Sequence, residues 1–192
     1  MAVYKIALIG DGGVGKTSIR ERYLGKEFNA QYLLTIGADF SMCDTEINGF
    51  PIRYQVWDLA GQKRFEVVRE AYYKGCIGAL LVYDVTRPES FYNMHLWINE
   101  LWTKNGFGRV PIVVLANKID LYELVDTAIS PQKGKTFTDK LSLLTESDGF
   151  MCHFIETSAK TGENITQAFS LLGENVMKFM KTRQFTPYIL AR

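Results

Sequence analysis

No apolar run in this chain is longer than a β-strand, so nothing in it reads as a membrane-spanning helix. An excess of one charge is missing too. Lys and Arg number 22 against 21 Asp and Glu, a net charge of +1, which removes the basic field that nucleic-acid binders present. Cysteine is scarce: Cys43, Cys76 and Cys152 are odd in number and far apart, fitting neither zinc spacing nor a disulfide framework. Buried thiols in a reducing cytosol are expected. The two histidines, His95 and His153, stand alone and read as helix-face and strand-face residues rather than catalytic groups. A first strand beginning at residue 3 leaves no room for a signal peptide, and Ala2 excludes glycine-dependent myristoylation. Internal repeats and low-complexity linkers are also absent. What the 192 residues do hold is a 47% hydrophobic share with 13% aromatics and 22% charged residues. That is ample material for a core, in a chain long for one domain and short for two.

The apolar runs alternate with helical patterns. Residues 3–9 are apolar almost throughout, as a strand covered on both faces should be. A helix follows from Lys16 to near Gly25, and residues 26–37 read as loop. Residues 38–47 and 52–58 are strand-like and joined by Asn48-Gly49, a strong hairpin signal, so this pair should be antiparallel. Residues 63–74, charged and aromatic, predict a weak helix or mobile loop. Further strands are expected at 77–83, 110–116 and 150–156. Pro88 suits the first turn of a helix carrying Phe91, Met94, Ile98, Leu101 and Trp102 at helical spacing. Ser130-Pro131 reads as a cap and first-turn proline before Phe137, Leu141 and Leu144. Ile165, Ala168, Phe169, Leu172, Val176 and Phe179 mark a last amphipathic helix. The alternation predicts an α/β fold: six strands, mostly parallel with one antiparallel edge strand, and helices on both faces. Residues 1–181 would form the domain and 182–192 a short tail. Lys178, Lys181, Arg183 and Arg192 make that end mildly basic, as befits a helix C-terminus.

One stretch organises the rest. Gly10-Asp11-Gly12-Gly13-Val14-Gly15-Lys16-Thr17-Ser18 places G-x-x-x-x-G-K-T between a strand and a helix. Such a loop turns its N–H groups inward as a concave anion site, and the helix N-terminus adds its positive dipole end. Lys16 would reach β- and γ-phosphates, and the Thr17 hydroxyl would bind Mg²⁺. Three more polar motifs follow strands, at 58–62, 117–120 and 157–160, so one fold would gather all four at one rim. Asn117-Lys118-Ile119-Asp120 selects a base: the Asp120 carboxylate can accept from guanine N1–H and its exocyclic amine together. Adenine lacks that donor pair and would leave the carboxylate buried and unpaired. Mg²⁺ takes six oxygens near octahedral geometry; Thr17 and Thr35 hydroxyls with two phosphate oxygens supply four, and waters the rest.

Taken together, these residues resemble a small GTPase of the Ras superfamily, most of all its Rab branch. The match runs through residues 10–17, Thr35-Ile36-Gly37-Ala38-Asp39-Phe40, Trp57-Asp58-Leu59-Ala60-Gly61-Gln62, Arg64-Phe65 and Tyr72-Tyr73-Lys74-Gly75. It continues through residues 82–86, 117–120 and Glu156-Thr157-Ser158-Ala159-Lys160, covering 3 to about 180. The resemblance implies a P-loop GTPase domain binding GTP or GDP with Mg²⁺. It places Asp11 to Ser18, Phe28, Tyr32, Thr35, Gly61, Asn117, Lys118, Asp120, Ser158, Ala159 and Lys160 around the nucleotide. Asn117 would contact the N7 edge and tie neighbouring loops together. Lys118 would lie along the base, Ala159 N–H would bond O6, and Phe28 would pack against the base. Asp58 would hold a Mg²⁺-bound water. Gln62 would orient the attacking water, with Lys16, Thr35 and Gly61 completing the catalytic set, and Gly12 would leave room for Gln62. Thr35 and the Gly61 N–H would touch the γ-phosphate, so switch I (28–40) and switch II (59–74) would order only in its presence.

Residues 29–35 contain no arginine, so intrinsic hydrolysis is expected to be slow, roughly 10⁻⁴ to 10⁻³ s⁻¹, with help supplied in trans. Effectors, exchange factors and GTPase-activating proteins are the implied partners of a monomer. Phe40, Trp57 and Tyr72 match the aromatic triad of the Rab effector surface; a half-buried cluster packing the hairpin is the equal alternative. Two features depart from the pattern. The sequence ends Tyr188-Ile189-Leu190-Ala191-Arg192 without a prenylation cysteine. Either a lipidated tail has been removed or there never was one, the latter suiting a prokaryotic relative with a Rab-like core. A cytoplasmic protein is expected, peripheral at membranes only through partners or such a tail. The segment 121–150 is longer than usual, as tolerated surface or a partner site. A nucleotide-locked binding module is the alternative to a hydrolytic switch; a P-loop kinase lacks its arginine lid here.

Overall fold

The computed structural model describes residues 1–29, 35–62 and 66–183. Tyr32, Arg64-Phe65 and the tail beyond Arg183 lie outside the described residues. Strands β1 (Ala2–Ile9), β2 (Ala38–Ile47), β3 (Phe50–Leu59), β4 (Gly78–Asp84), β5 (Ile112–Asn117) and β6 (His153–Thr157) form one sheet in the order β2-β3-β1-β4-β5-β6. All neighbours are parallel except β2 and β3, whose register runs from Ala38↔Leu59 to Ile47↔Phe50. Asn48 and Gly49 both take positive φ, 51° and 80°. That matches the two-residue turn whose twist suits a hairpin.

The apolar runs are continuous because the inner strands are covered on both sides. Along β1, Ala7 and Ile9 enter one core while Ile6 and Leu8 enter the other. The first core lies under α2 (Glu66–Tyr73), α3 (Pro88–Tyr92), α4 (Met94–Lys104) and α5 (Pro131–Thr145). The second lies under α1 (Lys16–Tyr23) and α6 (Ile165–Thr182). Phe169 and Phe179 of α6 are fully buried on opposite sides of that arrangement. Each such side chain contributes about 1.5–3 kcal/mol by leaving water. Tyr54 donates to the Phe169 carbonyl at 2.8 Å, so its buried hydroxyl is satisfied.

Four local expectations need correction. The helix that Pro88 opens is two helices, broken at Asn93, whose ψ of −9° flattens the ladder. The Asn93 side-chain amide donates to Asp11 at 2.8 Å, while its backbone N–H donates to the Glu89 carbonyl at 2.9 Å. Ser130 sits at the N-cap position, but its side chain makes no capping bond; its carbonyl takes the Lys133 and Gly134 amides. The last strand starts at His153 rather than 150, although Phe150 and Cys152 are already buried. Cys76 and Cys152 are buried thiols, whereas Cys43 on the edge strand is only half-buried. Residues 66–73 are helical, and the long segment after Asp120 is a 3₁₀ turn (Ile119–Leu124) followed by α5.

Candidate functional site

All four polar motifs emerge at the carboxyl ends of strands on one edge of the sheet, around a cavity of about 430 Å³. Gly12, Gly13, Gly15, Lys16, Thr17 and Ser18 line it from the first loop. Gly15 has φ 100°, and a Cβ there would stand 2.3 Å from Asn117 Nδ2. The loop therefore needs glycine both for its turn and for its approach to β5. Lys16 is buried, with Nζ donating to the Gly10 carbonyl at 2.7 Å and the Asp11 carbonyl at 2.8 Å. An ammonium has three N–H donors, so one more is available to an anion in the loop. Burial pulls the Lys16 pKa down to about 8, against the attraction of Asp58 and Asp11.

Thr17, Thr35 and Asp58 meet, although they lie on α1, the approach to β2, and β3. Thr17 Oγ1 donates to Asp58 Oδ2 at 2.5 Å and lies 2.9 Å from Thr35 Oγ1. Adjacent oxygens of a Mg²⁺ octahedron at about 2.0–2.1 Å from the ion are about 2.9 Å apart, so the two hydroxyls fit that ion. Asp58 Oδ1 is buried with no hydrogen-bond partner among the described residues, as a carboxylate aimed at a metal-bound water would be. Burial pushes the Asp58 carboxyl up, with Thr17 and Lys16 opposing. Next in the chain, Gly61 lies against the first loop: a Cβ would be 2.3 Å from Gly12 N. A Cβ on Gly12 would meet Gln62 Cγ at 3.7 Å, so the two share one small space.

At the far end Asn117 joins three segments. Its Nδ2 donates to the Val14 carbonyl at 2.8 Å, while its Oδ1 accepts from Thr157 Oγ1 at 3.3 Å and Ala159 N–H at 3.2 Å. The Ala159 amide, expected on a base carbonyl, thus points to Asn117. Asp120 lines the cavity, its Oδ1 accepting from Ser158 Oγ at 2.6 Å and its Oδ2 lying 3.7 Å from Lys160 Nζ. Lys118, Ala159, Lys160 and Phe28 line the cavity as well.

Four predicted residues do not line it: Asp58, which stands behind Thr17, and three others. The Asp11 carboxylate accepts from Asn93 and from Trp97 Nε1 at 2.8 Å each, so it anchors the loop to α4. Val14 is in the core and offers only its carbonyl. Ser158 is buried and acts on Asp120. Beside the cavity, Phe40, Trp57 and Tyr72 form one cluster, with ring centroids 4.9 Å and 5.1 Å apart. Phe40 is exposed, as are Ile36 and Met42 near it in the chain.

Residues 5–178 match the family model described as the Ras family. The chain belongs to the Ras family. It is 38% identical over 181 residues to the Ras-related protein Rab11E of Lotus japonicus, covering 94% of this chain and 78% of that one. It is equally identical over 175 residues to the Ras-related protein Rab-13 of Mesocricetus auratus, covering 91% and 80%. To the Ras-related protein RABA1a of Arabidopsis thaliana it is 36% identical over 181 residues, covering 94% and 78%. A Ras-family chain of this kind is a GTP-binding small GTPase, and Rab-like.

Sequence reasoning missed several residues of this Ras-family site. Glu21, Asn29 and Leu121 also line the cavity. Asp84 receives Lys118 Nζ at 2.6 Å, Thr86 Oγ1 at 2.7 Å and Arg87 Nε at 3.2 Å. Burial would lift the Asp84 carboxyl, but Lys118 and Thr86 outweigh it and hold it below the usual range. Arg87 Nη2 then reaches the Gly12 carbonyl at 2.8 Å. Asp84 lies within the motif at 82–86, which offered a place to look; Arg87 and Asn93 carried no signal.

Proposed function

We propose that this Ras-family chain binds Mg²⁺–GTP in the cavity, hydrolyses it to GDP and phosphate, and switches partners with nucleotide state. Residues 1–181 act as the GTPase domain and 182–192 as a tail. The observation that supports this most is the meeting of Thr17 and Thr35 beside Lys16, backed by the buried Asp58, in the same cavity that Asp120 lines. Phosphate chemistry and base choice then share one ligand-sized space.

The roles divide by position. Glycine-loop amides and Lys16 hold the phosphates. Thr17 and Thr35 would ligate Mg²⁺ and Asp58 a water on it; the ion would neutralise charge on the β- and γ-phosphates. Gln62 orients the attacking water, and the Gly61 N–H donates to the terminal phosphate. No arginine follows Asn29 before Thr35, so the intrinsic rate is slow, roughly 10⁻⁴ to 10⁻³ s⁻¹, and is raised by a partner. Phe40, Trp57 and Tyr72 serve both packing and effector recognition, since Phe40 is exposed while its neighbours are half-buried. Effectors, an exchange factor and an activating protein complete the cycle of a cytoplasmic monomer. Its work is Rab-like regulation of trafficking or membrane-associated processes, with membranes reached through partners or a lipidated tail.

Asp120→Asn tests the assignment. The amide can donate where guanine offers its amine and xanthine its carbonyl, so preference should swing from GTP toward xanthosine triphosphate. An unchanged preference in competition binding would remove Asp120 from base recognition.

A further inference from the structure

Arg69 is a guanidinium enclosed in the protein, on α2, with its side chain 4% exposed. Its Nε and Nη2 donate to the two Glu100 carboxylate oxygens at 2.9 and 3.0 Å. Its Nη1 donates to the Gln62 carbonyl at 2.9 Å and the Ala60 carbonyl at 3.2 Å. The guanidinium carbon sits 4.5 Å from the centre of the Trp97 ring, and Trp97 in turn donates to Asp11 of the glycine loop. Four donated bonds and a ring face are thus committed by one side chain. Lysine could not repeat this, having three donors and no planar fork.

The two carbonyls bracket Gly61. In a trans peptide the C=O of one residue points opposite to the N–H of the next. Holding the Ala60 carbonyl toward Arg69 therefore aims the Gly61 N–H away from it, and Gly61 lines the cavity. Holding the Gln62 carbonyl fixes the peptide after Gln62 and so the direction in which its side chain leaves the backbone.

We infer that Arg69, braced by Glu100 and Trp97, is a positioning residue that presets Gly61 and Gln62 for hydrolysis. The inference rests on the hydrolytic reading of Gln62 and Gly61 given above. Arg69 does not line the cavity, so it acts on the chemical step through the backbone and not on nucleotide capture.

The test is single-turnover hydrolysis of γ-³²P-labelled GTP by the Mg²⁺-loaded full chain, alongside release of N-methylanthraniloyl-GDP. Arg69→Ala should slow hydrolysis about tenfold or more with release changed less than about twofold. Combined with Gln62→Leu it should add little further loss, because both changes disable one device. Arg69→Lys keeps the charge against Glu100 and loses the fork; it should slow hydrolysis while the GDP-loaded protein still unfolds in one cooperative transition, at a somewhat lower midpoint, which covers the case of an unfolded alanine variant. The inference falls if Gln62→Leu is impaired while Arg69→Ala and Arg69→Lys hydrolyse as the parent does. It falls too if the losses multiply or nucleotide release accelerates in step. If Gln62→Leu hydrolyses like the parent, the reading of Gln62 fails and the inference with it.

Discussion

Lys16 is held among carbonyls in a water-poor loop, and burial draws its pKa down to about 8. An unfolded lysine titrates near 10.4. Between those values the unfolded chain holds a proton that the nucleotide-free native chain has lost. Stability of the nucleotide-free protein therefore rises with pH through that window. The gain should reach about 2 kcal/mol by pH 9.5, read as the difference in urea unfolding between the parent and Lys16→Met. Nucleotide affinity should move the other way, falling as pH climbs past 8, because phosphates favour the ammonium. A parallel pH response in parent and variant would show that Lys16 does not titrate there. Asp11 shows a different lesson of the same scale: a residue of the phosphate motif whose carboxylate serves Asn93 and Trp97 instead.

Among the elements, the β2–β3 hairpin was the most readable, because Asn48-Gly49 between two strand patterns leaves the chain little choice. Gly49→Ala should cost about 1 kcal/mol, since φ is +80° and no atom lies within 4 Å of the added Cβ. The loss is then conformational alone, and the GDP-loaded midpoint should fall by about 2–4 °C in calorimetry. No change would mean the turn relaxes. The inner strands were readable for a related reason: burial on both faces writes itself as unbroken apolar sequence. Helix α2 was readable only as a weak helix or mobile loop, because its segment mixes charges and aromatics. What Arg69 does there depends on Glu100 and Trp97, residues about thirty positions away. The break at Asn93 escaped notice too; the side chain there is bonded to Asp11, far back in the chain. Motif residues facing the cavity were legible because their chemistry is local; their supports were not, because they are set by folding.

At the scale of the whole molecule, described residues from both of the segments proposed as switches come together. Ala60 N–H donates to the Gly37 carbonyl at 2.9 Å, and Thr35 meets Thr17, so segments from both switches already touch. Hydrogen exchange should show residues 35–40 and 60–74 more protected with a non-hydrolysable GTP analogue than with GDP, while β1, β4 and β5 stay unchanged. Equal protection in both states would remove the switch. Among the described residues no helix is long and apolar enough to cross a membrane.

Asp84 stands on the central strand β4, beside Asn117 in register. It grips Lys118, in the turn that carries Asp120, and Arg87, which reaches back to Gly12. One carboxylate thereby couples the two extremities of the binding groove like a linchpin. With Asp84→Ala, Lys118 and Arg87 would lose their shared anchor together, so both extremities would slacken at once.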